Sequence, residues 1–302
     1  FIFDLPVVFD SAGETETLRL NSGGDQQVTF SSSLTLNDEL TVSGVNKLHD
    51  LNLNGALLGA GNLKFGNKVQ ANFGASYDGS SHTGDIIVAG TGTDNDNLIT
   101  SNVSADGTLL ASGNKIDVQG AGAKIIVNGA NTLKGNITIG DNDPTLTVNA
   151  NQSAIGTITM GAGTLNLVLA ADVTSAAFVD NSSADWGTGS LVITGAQDDE
   201  VSFGTDADGI TADQLAQITL NGSTPDINSS GQLSTSSVSV STFNNAGGDN
   251  LWSNAANWSA GIPNVDTAKI NIDADLIVDS DKTVAQIKIS GTGSADSVTI
   301  TA

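Results

Sequence analysis

Between Leu18 and Leu169 the chain keeps returning to one short phrase, in which apolar and polar residues alternate for three to five positions before a break of Gly, Asn, Asp or Ser. The phrases read LRL, VTF, LTL, LTV, LNL, LKF, IIV, IDV, IIV, ITI, LTV, ITM and LNL. Alternation with a period of two marks a β-strand with one buried face, and its return at roughly ten to twelve residues marks a repeating β architecture. The pattern predicts an all-β fold, a right-handed parallel β-solenoid over residues 15–180 with two or three strands per turn. Gly and Asn fit its corners, because Asn54-Gly55, Gly59-Ala60-Gly61 and Gly120-Ala121-Gly122 tolerate positive φ. Antiparallel β-sandwich repeats are the alternative, with hairpin turns at Asn128-Gly129 and Asp106-Gly107. One helix is expected, near 211–219, where Thr211-Ala212-Asp213-Gln214 forms a capping-box pattern ahead of Leu215, Ala216 and Ile218.

The remaining chain divides by pattern into an apolar N-terminal strand over 1–14, a closing segment over 181–242 and the start of a second module over 243–302. In the closing segment Trp186-Gly187, Gln214-Leu215-Ala216-Gln217-Ile218, Asn221-Gly222 and Gly231-Gln232-Leu233 occur in order. The segment resembles the end of autotransporter-like β-helical passenger regions of bacterial surface proteins, and that resemblance implies a secreted solenoid. After a Ser/Thr-rich stretch, Trp252, Asn254, Asn257, Trp258, Gly261, Pro263, Asp266 and Ala268 follow the pattern W-x-N-x-x-N-W-x-x-G-x-P-x-x-x-D-x-A. This is similar to the opening of another bacterial extracellular β-helical module. The later rungs break off at Ala302 and the chain opens at Phe1 without a methionine, so a piece of a longer, processed protein is expected.

Charge narrows the partners. With 33 acidic residues against ten basic ones the formal net charge is −23, which repels phosphates and anionic headgroups, so nucleic acid is not an expected partner. No apolar run approaches membrane-helix length, so no membrane insertion is expected. Cysteine is absent, which removes disulfides and thiolate metal sites.

Catalytic chemistry is poorly supplied. A lyase acting on acidic sugars needs a base beside Lys or Arg, whereas this chain has only Arg19, Tyr77, His49 and His82 beyond its lysines. Both histidines read as turn residues among polar or small neighbours, without a second ligand at metal spacing. Carboxylate pairs for glycoside hydrolysis are available, but no aromatic platform accompanies them over the first 180 residues. Gly-x-Ser-x-Gly and phosphate-loop patterns are missing.

Calcium is the cofactor the residues invite, through oxygen-rich loops at Asp94 to Asn97, Asp141 to Asp143, Asp198 to Glu200 and Asp206 to Asp208. Asp206 and Asp208 are the preferred ligands, followed by Asp94 and Asp96. None of these loops is an EF-hand or an RTX repeat. Trp252 and Trp258 are expected to pack inside the second module instead of presenting rings to a sugar.

These features together predict a non-catalytic extracellular structural protein at a bacterial cell surface: a stalk, an adhesin or a self-assembling fibre subunit. Its expected partner is itself, through the apolar segment containing Phe1, Ile2, Phe3, Val7, Val8 and Phe9, which adds as a strand to a neighbouring copy. The alternative is a carbohydrate-binding or glycan-processing module that meets surface glycans.

Overall fold

The computed structural model describes residues 1–21, 26–45, 48–90, 97–101, 107–235, 240–259, 262–263, 267–270, 274–279, 286–289 and 298–301. The chain divides into two units, Phe1–Thr235 and Ser236–Ala302.

The first unit is a parallel β-solenoid of about nine turns. Its largest sheet has ten strands, running in order from Ile2–Phe3 through Gln27–Phe30, His49–Leu53 and Val69–Phe73 to Ser190–Thr194 and Ile218–Leu220. A seven-stranded second sheet runs from Glu16–Asn21 to Ile158–Met160. The third face is interrupted. Strands Val7–Phe9, Leu34–Leu36 and Leu57–Gly59 form it at one end, and Gln152–Ile155, Ala176–Phe178 and Val201–Phe203 at the other. Between them, single bridges such as Gly59 to His82 and Leu110 to Leu133 carry it.

The alternating phrases explain this stacking. In each strand the apolar residues point inward, and parallel register places each over its counterpart in the preceding turn. One interior ladder runs Val28, Leu51, Ala71, Ile99, Ile125, Leu146, Leu167, Ile193, Leu220. On the second sheet Leu40, Leu63, Ile86, Ile116, Ile137 and Ile158 stack likewise. All of these side chains are buried.

Among the described residues every pairing between named strands is parallel except one, the hairpin of Pro225–Ile227 with Leu233–Thr235. The antiparallel sandwich is therefore overturned: Asn128-Gly129 is a solenoid corner, while Asp106 of the other proposed hairpin turn lies outside the described residues. The helix, Ala212–Ala216, is shorter than the pattern implied. Its capping box forms as expected, with the Gln214 N–H donating to Thr211 Oγ1 and the Thr211 N–H to Gln214 Oε1. Ile218 then leaves it for the last strand of the large sheet.

Corners need small residues because turns lie close. A Cβ on Gly59, whose φ is +89°, would overlap the Leu36 carbonyl oxygen of the turn before. Corner Asn and Asp side chains meanwhile accept backbone N–H groups from neighbouring turns. Asn62 accepts from Asp85 at 2.9 Å, Asp85 from Lys115 at 3.0 Å, Asn136 from Thr157 at 2.9 Å and Asn181 from Ile158 at 2.6 Å. These bonds satisfy backbone donors that a tight corner takes out of the ladder.

The turn ending this unit is covered. The hairpin's second strand docks on Val201–Phe203, with the Phe203 N–H donating to Gly231 and the Asp199 N–H to Leu233, both at 2.8 Å.

In the second unit, Val240–Phe243, Thr267–Ile270 and Gln286–Ile289 form one parallel sheet, and Ala274–Ile277 with Val298–Thr301 another. Phe243, Trp252, Trp258, Ile270 and Leu276 make its core.

Candidate functional site

The side chains best suited to proton transfer lie inside the solenoid. His49 opens a strand and His82 forms a bridge beside a turn, and both are about 1% exposed, as is Tyr77. The turn reading is corrected for His49, which opens a strand, whereas His82 closes a turn, its N–H donating to the Gly79 carbonyl at 3.2 Å. Their polar neighbours point outward while the rings complete the interior. His49 Nδ1 accepts the Gln26 N–H at 3.0 Å. Tyr77 packs edge-on against Phe73 with ring centres 4.7 Å apart, its hydroxyl lies 3.4 Å from the Leu109 carbonyl, and burial pushes its pKa well above the usual tyrosine value.

Of the four predicted metal ligands, Asp206 and Asp208 lie among the described residues, in one tight loop. Asp206 Oδ1 accepts the Asp208 N–H at 3.0 Å, an ordinary Asx turn. The two carboxylates nevertheless border different hollows. Asp206 lines an open groove of about 440 Å³ with Ser153, Ala154, Ala177, Val179 and Asp180, whereas Asp208 borders one lined by Ile210, Leu215 and Ile227. Asp94 and Asp96 lie outside the described residues. In the other acidic loops the carboxylates already accept backbone donors. Asp141 takes the Ala162 N–H, Asp143 that of Thr164, and Asp198 that of Thr235. Among the described residues no three His, Asp or Glu side chains gather where they would hold a metal ion.

The apolar N-terminal segment forms the outermost strands of the first turn, and its six proposed contact residues face two ways. Val7 and Phe9 pack against the core, and Phe3 stacks on Phe30 with ring centres 5.0 Å apart. Phe1, Ile2 and Val8 face solvent, exposed by 79%, 69% and 58%. Strand Ile2–Phe3 pairs with Gln27–Phe30 on one side, and Val7–Phe9 with Leu34–Leu36. Their outer edges have no strand against them among the described residues.

Trp252 and Trp258 are buried, packed edge-on 4.7 Å apart, so neither offers a ring to a sugar. The Trp258 indole N–H donates to the Trp252 carbonyl at 2.9 Å. The Asn residues spaced between them serve a carboxylate that sequence reasoning missed. Asp249 accepts Asn257 Nδ2 and Asn254 Nδ2, each at 2.7 Å, and the Leu251 N–H at 3.1 Å. Those donors, Asn257 first, hold its carboxyl below the usual aspartate range. Its signal was the spacing itself, an Asp just before a Trp-x-Asn-x-x-Asn-Trp run.

No helix among the described residues is long and apolar enough to cross a membrane. No protein-family model matches this chain, and the comparisons with curated proteins and with solved structures likewise returned no match.

Proposed function

We propose that the protein is a non-catalytic structural element, a stalk, adhesin or fibre subunit of a bacterial cell surface, built from stacked β-solenoid turns. The observation that carries this reading is the interior position of both histidines and the single tyrosine. Histidine and tyrosine side chains sealed in a core cannot meet a substrate. The extracellular setting rests on the two sequence resemblances. Self-association runs through the outer edge of the first turn, where Phe1, Ile2 and Val8 keep apolar surface in water along strand edges that no strand among the described residues covers. Ile2→Lys with Val8→Lys leaves the inward-facing Val7 and Phe9 in place. The pair is expected to abolish concentration-dependent assembly in sedimentation velocity and in negative-stain images while the circular dichroism spectrum stays unchanged. Assembly at wild-type concentrations by the folded double variant sinks the edge contact.

The groove along Ala154, Ala177 and Val179 favours a second reading, glycan binding. Its small apolar floor and its rim of Ser153, Asp180, Thr205 and Asp206 suit a sugar ring and its hydroxyls. A glycan array separates the readings, since a purely structural element retains no sugar.

A further inference from the structure

Among the described residues, His82 alone buries two side-chain nitrogens without a hydrogen-bond partner for either. Its ring is buried on the third face of the solenoid, at a position bridged to Gly59 of the turn before. The backbone around it is tied down. The Asn114 amide donates to the His82 carbonyl at 2.6 Å, and the Thr83 N–H donates to Gly59 at 2.9 Å. The Gly79 N–H donates to Thr108 at 2.7 Å. We propose that His82 is an acid-sensitive latch, which holds the turn over residues 74–84 in the stack at neutral pH and releases it when the surroundings acidify.

No acceptor stands in hydrogen-bond geometry to either ring nitrogen, so a second proton would add a buried charge without a direct partner. Desolvation accordingly lowers the affinity of His82 for protons. The backbone at Leu58 and Gly59 and the Asp85 charge pull the other way without prevailing. The charges around it are few. On its own segment, Asp78 accepts the Ser80 N–H and hydroxyl, and Asp85 lies 4.0 Å from the Lys115 ammonium, which is itself 3.5 Å from Asp117. The strand Leu57–Gly59 on one side and residues 107–114 on the other contain no ionisable side chain. Among the described residues the Asp85 charge thus favours the imidazolium, and burial outweighs it.

The unfolded chain takes up the proton near histidine's ordinary pKa of 6.5 and the folded chain only below it. Stability is thus complete above that value and drains as pH falls from there through the depressed folded value. Relief of repulsion among the many carboxylates acts in the opposite direction, so a loss between pH 7.5 and 5.5 that vanishes when His82 is replaced identifies this histidine.

The test is thermal unfolding of the whole chain across that range at fixed ionic strength, for wild type, His82→Leu and His82→Phe. Hydrogen exchange over residues 74–90 is followed in parallel. The wild-type midpoint is expected to fall by roughly 3–6 °C, with exchange in that segment quickening beyond the intrinsic pH effect, while both variants stay level. A level or rising wild-type midpoint overturns the latch, as does an unchanged fall in the variants. Should neither variant fold, the wild-type imidazole resonances decide. A His82 ring that titrates near 6.5 with the fold intact refutes the latch, and one silent until the turn opens supports it.

Discussion

Asn257 uses its whole amide in the second unit. Its oxygen accepts the Gly247 N–H at 2.8 Å, and its nitrogen donates to Asp249 at 2.7 Å and to the Leu251 carbonyl at 2.9 Å. Because Asn257 is fully buried, Asn257→Ala strands groups that water cannot reach, and a loss of about 2–4 kcal/mol is expected in denaturant unfolding of this unit. Asn257→Asp should be no rescue, since it sets a second carboxylate against Asp249. The same geometry gives a pH response. Asp249 is lowered chiefly by the Asn257 and Asn254 amides, so the stability it contributes is present above the usual carboxylate range and is lost as pH falls through the lowered value. An Asn257→Ala chain that unfolds with wild-type energetics would show that the Trp-x-Asn-x-x-Asn-Trp spacing serves something other than this knot.

Each turn must lie flush on the previous one, and two glycines separate that demand from backbone strain alone. Gly13 has φ +97° with open space where a Cβ would project, whereas Gly59 has φ +89° and the Leu36 carbonyl in that place. Gly13→Ala is expected to cost about 1–2 kcal/mol, the strain of positive φ. Gly59→Ala adds overpacking to a similar strain and should cost at least about 3 kcal/mol. Equal losses in thermal unfolding would mean that the turns are looser than they stand. Such contacts mark the limit of what was legible in advance. Phrases such as Leu40 to Val42, Ile137 to Ile139 and Leu165 to Leu167 all became strands with the predicted faces inward, because a period of two is a local property. The burial of His82 was not legible because it is not local. Between Ser81 and Thr83 it shows no alternation, and only the stacking of its turn beside Gly59 of the turn before encloses the ring. The partners of the acidic loops were illegible for a related reason, since Asp143 or Asp198 finds its backbone donor more than twenty residues away.

Across the whole chain the charges are as unevenly placed as they are unbalanced. No lysine or arginine occurs between Lys134 and Lys269, while that stretch carries Asp141, Asp143, Asp180, Asp198, Asp206 and further carboxylates. Side by side on stacked turns, such groups repel one another and oppose the compact state at low ionic strength. Salt screens exposed charges over distances of about 10 Å at 0.1 M, so raising ionic strength should raise the unfolding midpoint. Because the carboxylates of the described loops mostly accept backbone donors one by one and do not converge, this stabilisation should follow ionic strength and not the identity of the cation. Calcium, magnesium and a monovalent salt matched for ionic strength are expected to shift the midpoint by similar amounts, with divalents slightly ahead through their charge. A chelating site behaves otherwise. A ligand bound only by the folded chain stabilises by an amount that grows with the logarithm of its concentration above Kd, so calcium would keep raising the midpoint at micromolar additions where screening is negligible. That outcome would make this a calcium-held scaffold. Asp206→Asn and Asp94→Asn with Asp96→Asn would then locate the ion, and loss of the calcium increment in only one of them would place it.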